Sequence, residues 1–269
     1  MSNSSLPRAK KSLGQHFLHD ESTLEAIVEA LGPIAHRTVL EIGPGRGILT
    51  DRLVTQAGKL VAVELDTFLA QHLQQRYADL RHVSIVQADV LKVSLSALAG
   101  DDFVLAGNVP YYITTPILFH ALERPRPSVA VYLVQREVAE RMAAPPGSRT
   151  YGALSVNVQS VAHVELVKHV PPEAFHPAPA VDSAVVRVVP RTDPAIGTEL
   201  EAEYRHFVQS AFSFRRKQLG RVLRNVLRVS AEQSVAIVEQ SGLTPDLRPE
   251  VLSPEDFARL LATARKLRG

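Results

Sequence analysis

The chain has 269 residues, 45% of them hydrophobic and 22% charged, with a net charge of +2 and no cysteine. This is enough chain for one large or two modest domains, each with a true core, and the lack of cysteine excludes disulfides and thiolate metal sites. No apolar run approaches the length of a membrane span, so no membrane partner is expected. The small net charge hides an asymmetry: residues 191–269 carry 13 Lys and Arg against 10 Asp and Glu, the remainder 17 against 18.

Residues 1–13 are polar and basic, with Arg8, Lys10 and Lys11, and show no periodicity. They are expected to be mobile. No apolar stretch follows them, so a secretory signal is not expected and a cytoplasmic protein is. Gly14-Gln15-His16-Phe17-Leu18 is a short apolar patch. Ser22 with Glu25 has capping-box spacing, and Leu24, Ile27, Val28 and Leu31 share one helical face that Gly32-Pro33 ends.

Val39-Leu40-Glu41-Ile42 then reads as a buried strand, and Gly43-Pro44-Gly45-Arg46-Gly47 as a glycine turn into a helix. Glycines let backbone approach a ligand without a Cβ in the way. Gly58 closes that helix, and the next strand ends at Glu64, 21 positions after Gly43. An acid at that place holds ribose hydroxyls in mononucleotide-type folds. The spacing is G-x-G-x-G rather than the dinucleotide G-x-G-x-x-G, which points to a ligand with a ribose and no pyrophosphate. S-adenosylmethionine fits that description.

Strands are predicted at 38–42, 60–64, 83–87, 103–107 and 129–134, and helices at 46–57, 67–77, 115–123 and 136–144. Pro116, after Thr115, marks a helix start. Residues 151–161 admit helix or strand, with Tyr151, Leu154, Val158 and Val161 favouring helix. Strands near 164–170 and 183–189 complete the sheet. Near-continuous apolar strands indicate a parallel sheet covered on both faces, with ligands at the carboxyl ends. After Pro190 only helices are predicted, at 199–212, 215–228, 230–241 and 254–267. The expected division is an α/β domain over 1–190 and a small helical domain over 191–269.

Asn108-Val109-Pro110-Tyr111 follows the fourth strand and so falls at the carboxyl edge. Its chemistry suits a planar amine such as that of adenine. The Asn108 oxygen and a backbone carbonyl near Pro110 are placed to accept two N–H hydrogens, and Tyr111 offers a face for a flipped-out base. Pro110 fixes the backbone angle and adds no competing N–H. Asp89, ending the third strand, is a candidate acceptor for a cofactor adenine amine, or a plain turn cap. Arg215, Arg216, Lys217, Arg221, Arg224 and Arg228 form a run with no acid, four of them on one helical stripe, which suits phosphate backbone. Phe212-Ser213-Phe214 before it reads as core. The ten histidines form no metal-ligand spacing, so no metal is expected.

These residues resemble the ribosomal RNA adenine N6,N6-dimethyltransferases, most closely the bacterial small-subunit branch (the RsmA/KsgA family). The resemblance rests on Lys11 to Leu18, Leu40 to Gly47, Val63 to Asp66, Asp89-Val90, Asn108 to Tyr111, Val134 to Val138, Phe175 to Pro179, Val181-Asp182-Ser183 and Phe214 to Lys217. It implies a Rossmann-like, class I S-adenosylmethionine-dependent methyltransferase domain plus a C-terminal α-helical domain. It also implies cofactor contacts at His16, Leu18, Gly43, Gly45, Glu64, Asp89 and Asn108, and Phe175 facing Tyr111 across the target base. The implied reaction is dimethylation of two adjacent adenosines in the 3′-terminal hairpin of small-subunit rRNA, by a monomer acting on immature small subunits. The family motif often reads Asn-Leu-Pro-Tyr, and Val109 stands at its second place here.

Rivals share parts of this pattern. A resistance-type large-subunit rRNA methyltransferase has the same core, whereas a DNA adenine methyltransferase would need a sequence-reading domain. A ribosome-assembly binding factor would not need the intact Gly43 to Gly47 turn, Glu64 and Asn108 to Tyr111.

Overall fold

The computed structural model describes residues 15–268. Arg8, Lys10, the Lys11 to Gly14 part of the first motif and the expected mobility of 1–13 lie outside the described residues. In chain order the elements are β1 (Phe17–Leu18), α1 (Glu21–Leu31), β2 (Thr38–Ile42), α2 (Ile48–Val54), β3 (Lys59–Glu64), α3 (Thr67–Arg76), β4 (Val83–Gln87) and α4 (Leu95–Ala99). Then come β5 (Phe103–Asn108), α5 (Thr114–Ala121), β6 (Val129–Gln135), α6 (Arg136–Ala143), α7 (Ala153–Gln159), β7 (Ala162–Val170), β8 (Phe175–His176) and β9 (Ser183–Pro190). Four helices follow: α8 (Glu201–Phe212), α9 (Leu219–Leu227), α10 (Ala231–Gln240) and α11 (Pro254–Arg268).

Seven strands form one sheet in the order β4-β3-β2-β5-β6-β9-β7. The pairs β2–β3, β2–β5, β3–β4 and β5–β6 are parallel, and β9 runs antiparallel to β6. Val39, Leu40, Leu60, Val104, Leu105 and Val131 are fully buried, so these strands are covered on both faces. The register sets Ile42 beside Val63 and Gly107, which brings the carboxyl ends of β2, β3 and β5 to one edge. The strand order reverses there, between β2 and β5, making the crevice in which such sheets bind ligands. This is the Rossmann-like sheet that the resemblance implies.

Several local starts differ from the sequence reading. The cap of α1 is Asp20, whose carboxylate accepts from Thr23 N at 2.8 Å and from the Ser22 hydroxyl at 2.7 Å. A carboxylate outcompetes the neighbouring serine because it takes several donors and favours the positive end of the helix. The helix α5 begins at Thr114, which places Pro116 inside its first turn, where no N–H is needed. The Ser230–Gln233 capping box of α10 forms as read, and Gly242, with φ of 74°, ends that helix.

Among the described residues the chain groups into two compact units. One runs to Ala139 and adds Glu165–Pro190; the other joins Glu140–Val164 to the part from Arg191 onward. Residues 140–164 therefore group with the C-terminal helices rather than with the sheet, unlike a single cut at 190. Buried polar links explain this. The Tyr151 hydroxyl donates to the Leu252 carbonyl at 2.7 Å, and Arg191 Nη1 donates to the Gln159 carbonyl at 3.1 Å. An aromatic cluster of Tyr151, Phe207, Phe212 and Phe257 fills this unit, with ring centroids 5.8–6.2 Å apart. Phe212 is half-buried and joins this cluster, whereas Phe214 is 37% exposed, so the stretch Phe212 to Phe214 is not core as a whole.

The basic run is not one helix. Residues 213–217 turn, with Lys217 N donating to the Phe214 carbonyl at 2.8 Å, and α9 starts only at Leu219. Leu219 N donates to the Leu247 carbonyl at 2.7 Å, a bond that ties the helix start to the loop after α10.

Tyr151→Phe should leave the buried Leu252 carbonyl without its donor. The expected loss is about 1–2 kcal/mol, read as a lower urea midpoint with an unchanged slope.

Candidate active site

A cavity opens at the carboxyl edge of the first unit's sheet. Its walls are the turn after β2, the ends of β3 and β4, the segment after β5, and β1 with the two residues before it. His16, Leu18, Gly43, Gly45, Glu64, Asp89, Asn108, Pro110 and Tyr111 all line it.

The glycine turn is built by positive φ angles of 68° at Gly43 and 58° at Gly45. A Cβ at Gly43 would sit 3.3 Å from the Asn108 carbonyl, and one at Gly45 would sit 3.2 Å from the Phe17 ring. Both positions therefore need glycine for conformation and for space. The turn spends its N–H groups internally. Gly43 N donates to the Val63 carbonyl at 3.0 Å, Gly47 N to the Pro44 carbonyl at 2.9 Å, and Gly45 N to Glu64 Oε2 at 3.0 Å. A phosphate cradle would keep such groups free for its anion. Here the three glycine N–H groups are engaged, and the Glu64 carboxyl stands beside them.

Glu64 is held on both sides, its Oε1 accepting from Asp66 N at 2.9 Å. Burial pushes its pKa up, and the two backbone bonds pull the other way. Asp89 caps the turn at Val90–Lys92, accepting from Leu91 N at 3.1 Å, and it also lines the cavity. The Glu64 and Asp89 carboxyls and the close-approach glycines fit a cationic nucleoside such as S-adenosylmethionine.

Asn108 ends β5. Its Nδ2 donates to the His16 carbonyl at 3.1 Å, which fixes the flip of the carboxamide and leaves Oδ1 as the acceptor. The Pro110 carbonyl is already engaged by Ile113 N at 3.1 Å and the Thr114 hydroxyl at 3.2 Å. Among the described residues the Val109 carbonyl receives no hydrogen bond, so it is the available acceptor beside Pro110. The Tyr111 ring is stacked on the His16 imidazole, centroids 5.8 Å apart and planes 20° apart. Its hydroxyl lies 2.6 Å from that of Ser183. His16 Nδ1 donates to the Pro177 carbonyl at 2.8 Å; a carbonyl only accepts, so this nitrogen carries the proton.

Phe175 is not brought to this cavity. It is 3% exposed and packs with Leu18, Leu24 and Ile27 in the core beneath. It belongs to β8, which pairs with β1 in a separate two-stranded sheet, Leu18 opposite Phe175. The pairing turns the Phe175 side chain inward, and the ring found beside Tyr111 is that of His16. Among the described residues no cluster of His, Asp or Glu is placed to hold a metal ion, and no helix is long and apolar enough to cross a membrane.

The basic residues lie in the second unit. Arg216, Lys217, Arg221, Arg224 and Arg228 are exposed. Arg215 is different: it pairs with Glu250 at 2.6 Å and donates to the Arg149 carbonyl at 3.1 Å, which makes it a structural tie.

Sequence reasoning gave no separate role to Glu41, which lines the cavity. It is fully buried, and its Oε2 has no hydrogen-bond partner among the described residues. Burial, opposed by Thr50 and reinforced by Glu64 and Asp51, pushes its pKa up to about 8. An acid inside an apolar strand was the available signal.

A family model described as "Ribosomal RNA adenine dimethylase" matches residues 7–266. A "Ribosomal RNA small subunit methyltransferase A" of Acidobacterium capsulatum is 44% identical, over 94% of this chain and 90% of that protein. One of Xanthomonas oryzae pv. oryzae is 42% identical, over 97% and 98%. Among solved structures, a dimethyladenosine transferase from Plasmodium falciparum superposes with a TM-score of 0.81 at 26% identity, covering 93% of this chain and 98% of that one. The 23S rRNA methyltransferase ErmE gives 0.72 at 26% identity, covering 93% and 99%.

Glu41 makes stability depend on pH. The folded chain keeps this proton up to about pH 8, whereas the ordinary value is 4.5. Its contribution is full below the ordinary value and is lost as pH rises through the folded one. The slope from this group approaches roughly 1 kcal/mol per pH unit. Glu41→Gln should flatten the fall of the unfolding midpoint between pH 5 and 8 and be the more stable form at pH 8. An unchanged pH profile would contradict the assignment.

Proposed function

Because the chain belongs to the ribosomal RNA adenine dimethylase family, we propose that it dimethylates the N6 amines of two adjacent adenosines in the 3′-terminal hairpin of small-subunit rRNA. The observation that carries this reading is the wall formed by Asn108, Val109 and Tyr111 beside the glycine turn. The same reading makes the immature small subunit the partner, and the protein a cytoplasmic monomer that contributes to subunit biogenesis.

The cofactor is S-adenosylmethionine, which supplies a methyl group activated by a sulfonium. Gly43, Gly45, Glu64, Asp89, His16 and Leu18 would hold it, and the Glu64 and Asp89 carboxyls suit its ribose, amine and positive charge. An adenine amine is a poor nucleophile, since its lone pair is delocalised into the ring. Asn108 Oδ1 accepts one of its hydrogens and the Val109 carbonyl the other, which favours a pyramidal nitrogen with a localised lone pair. Pro110 shapes this backbone without offering a competing N–H. Tyr111 supports the base by stacking, a contact worth about 1–3 kcal/mol. Burial holds its phenol above the ordinary value of 10, so it stays protonated and is no base at neutral pH. None is needed, because the methylated amine is acidic enough to release its proton to water. Rate then rests on alignment and preset dipoles. In the reading that gave Phe175 the opposite face, its ring must leave the core; His16 needs no such movement.

The test is methyl transfer from labelled S-adenosylmethionine to undermethylated small subunits, with large subunits in parallel and the adenosines analysed by mass. Dimethyladenosine is expected on small subunits only, and Asn108→Ala should lower the rate about 100-fold. Label on large-subunit RNA would move the substrate assignment to the resistance type. An undiminished Asn108→Ala variant would favour a binding factor.

The exposed cations of the second unit are read as the phosphate-binding face. Replacing Arg216 and Arg221 together by Ala should weaken RNA binding and reduce the slope of log affinity against log salt by about 1–2, with cofactor affinity unchanged. Arg215→Ala should lower thermal stability instead.

A further inference from the structure

Ser183 is the first residue of β9, fully buried and opposite Gln135 at the end of β6. Its hydroxyl lies 2.6 Å from the Tyr111 hydroxyl, and no other side-chain bond of Ser183 is present among the described residues. Buried strand positions favour β-branched apolar side chains, and a buried hydroxyl costs stability unless it is paired. Here the pairing partner is the base-stacking tyrosine.

The residue before it is tied on two further sides. The Asp182 carboxylate lies 3.0 Å from Arg136 Nη1 and 3.1 Å from His169 Nε2, and its carbonyl accepts Arg136 N at 3.0 Å. The strand start that carries Ser183 is thus fastened to α6 and β7. A tyrosine ring has two soft torsions. His16 restrains one face of Tyr111, and the Ser183 bond restrains its tip. The remaining face is the surface offered to a base.

We propose that Ser183 is a positioning residue: its bond to Tyr111 sets the tilt of the ring on which the target adenine stacks, and Asp182 holds Ser183 in place through Arg136 and His169. The proposal rests on the reading of Tyr111 as the base platform. A ring that tilts carries the amine away from Asn108 Oδ1 and the Val109 carbonyl, and displacement of about 1 Å costs up to ~100-fold in rate.

The experiment is a double-mutant cycle with Ser183→Ala, Tyr111→Phe and the pair. Each single change removes one partner of the same bond, so each should lower kcat about tenfold, and the pair should be no slower than the worse single. Cofactor binding by calorimetry should be unchanged. Ser183→Thr, which keeps the hydroxyl, should recover most of the rate. With 2-aminopurine in place of the target adenine, stacking quenches fluorescence in the wild type and should do so less in Ser183→Ala. In protein labelled with 13C-tyrosine, the Tyr111 Cζ resonance should shift in Ser183→Ala, a readout that needs no RNA. Additive losses in the cycle, or an unmoved Cζ resonance, would overturn the proposal. A wild type that methylates large-subunit instead of small-subunit RNA would overturn only the substrate reading, and the cycle run on that RNA still decides the role of Ser183.

Discussion

The hydrogen bond from Gly45 N to the Glu64 carboxylate is the constraint on which the cavity depends. It joins the turn after β2 to the end of the neighbouring strand. The second carboxyl oxygen takes Asp66 N, and Asp66 in turn caps α3 through Phe68 N at 3.0 Å. One side chain therefore holds a turn, a strand end and a helix start together. Burial of a carboxyl is costly, and the two backbone donors offset part of that cost. The consequence is chemical as well as structural. With the N–H groups of Gly43, Gly45 and Gly47 turned inward, the loop lacks the open glycine cradle of a pyrophosphate site.

The opposite wall is set by segments far away in sequence. The His16 carbonyl orients Asn108, Ser183 anchors Tyr111, and the Pro177 carbonyl fixes the His16 tautomer. The pairing of β1 with β8 is what brings His16 and Pro177 together. The stretch Asn108 to Tyr111 thus takes its geometry from three others. Acceptors placed in advance in this way spend little free energy on reorganisation when charge develops.

The difference between local and remote determinants explains what the amino-acid sequence revealed. The parallel strands were legible because burial on both faces leaves long apolar runs in Val39 to Ile42 and Val129 to Val134. The Gly43 to Glu64 spacing was legible because it lies within one strand–helix–strand unit. The strands β1 and β8 were not, since two-residue strands carry no periodicity. The inward turn of Phe175 follows from that pairing and could not be read without it. Glu41 showed in sequence only as an acid within an apolar run, and the contact of Ser183 with a hydroxyl 72 positions earlier has no local sign. Assignment of residues 140–164 to the helical unit rests on buried bonds such as that of Tyr151, which no local pattern announces.

The basic run shows how geometry sorts residues that look equivalent in sequence. Arg215 is consumed by Glu250 and the Arg149 carbonyl. Arg228 stands at the C-cap of α9 with φ of 55°, a conformation that costs an arginine about 1 kcal/mol or more relative to glycine. A cation at that end of a helix is favoured by the helix dipole, so its charge has a local explanation. Arg224 acts on Glu232, lowering that carboxyl's pKa as the weakest of its causes. Arg216, Lys217 and Arg221 have no ion pair among the described residues and no helix end to serve. Three like charges without an internal partner repel one another, and a polyanion relieves that repulsion by neutralising them together. Of the original six, these three carry the strongest physical case for phosphate binding.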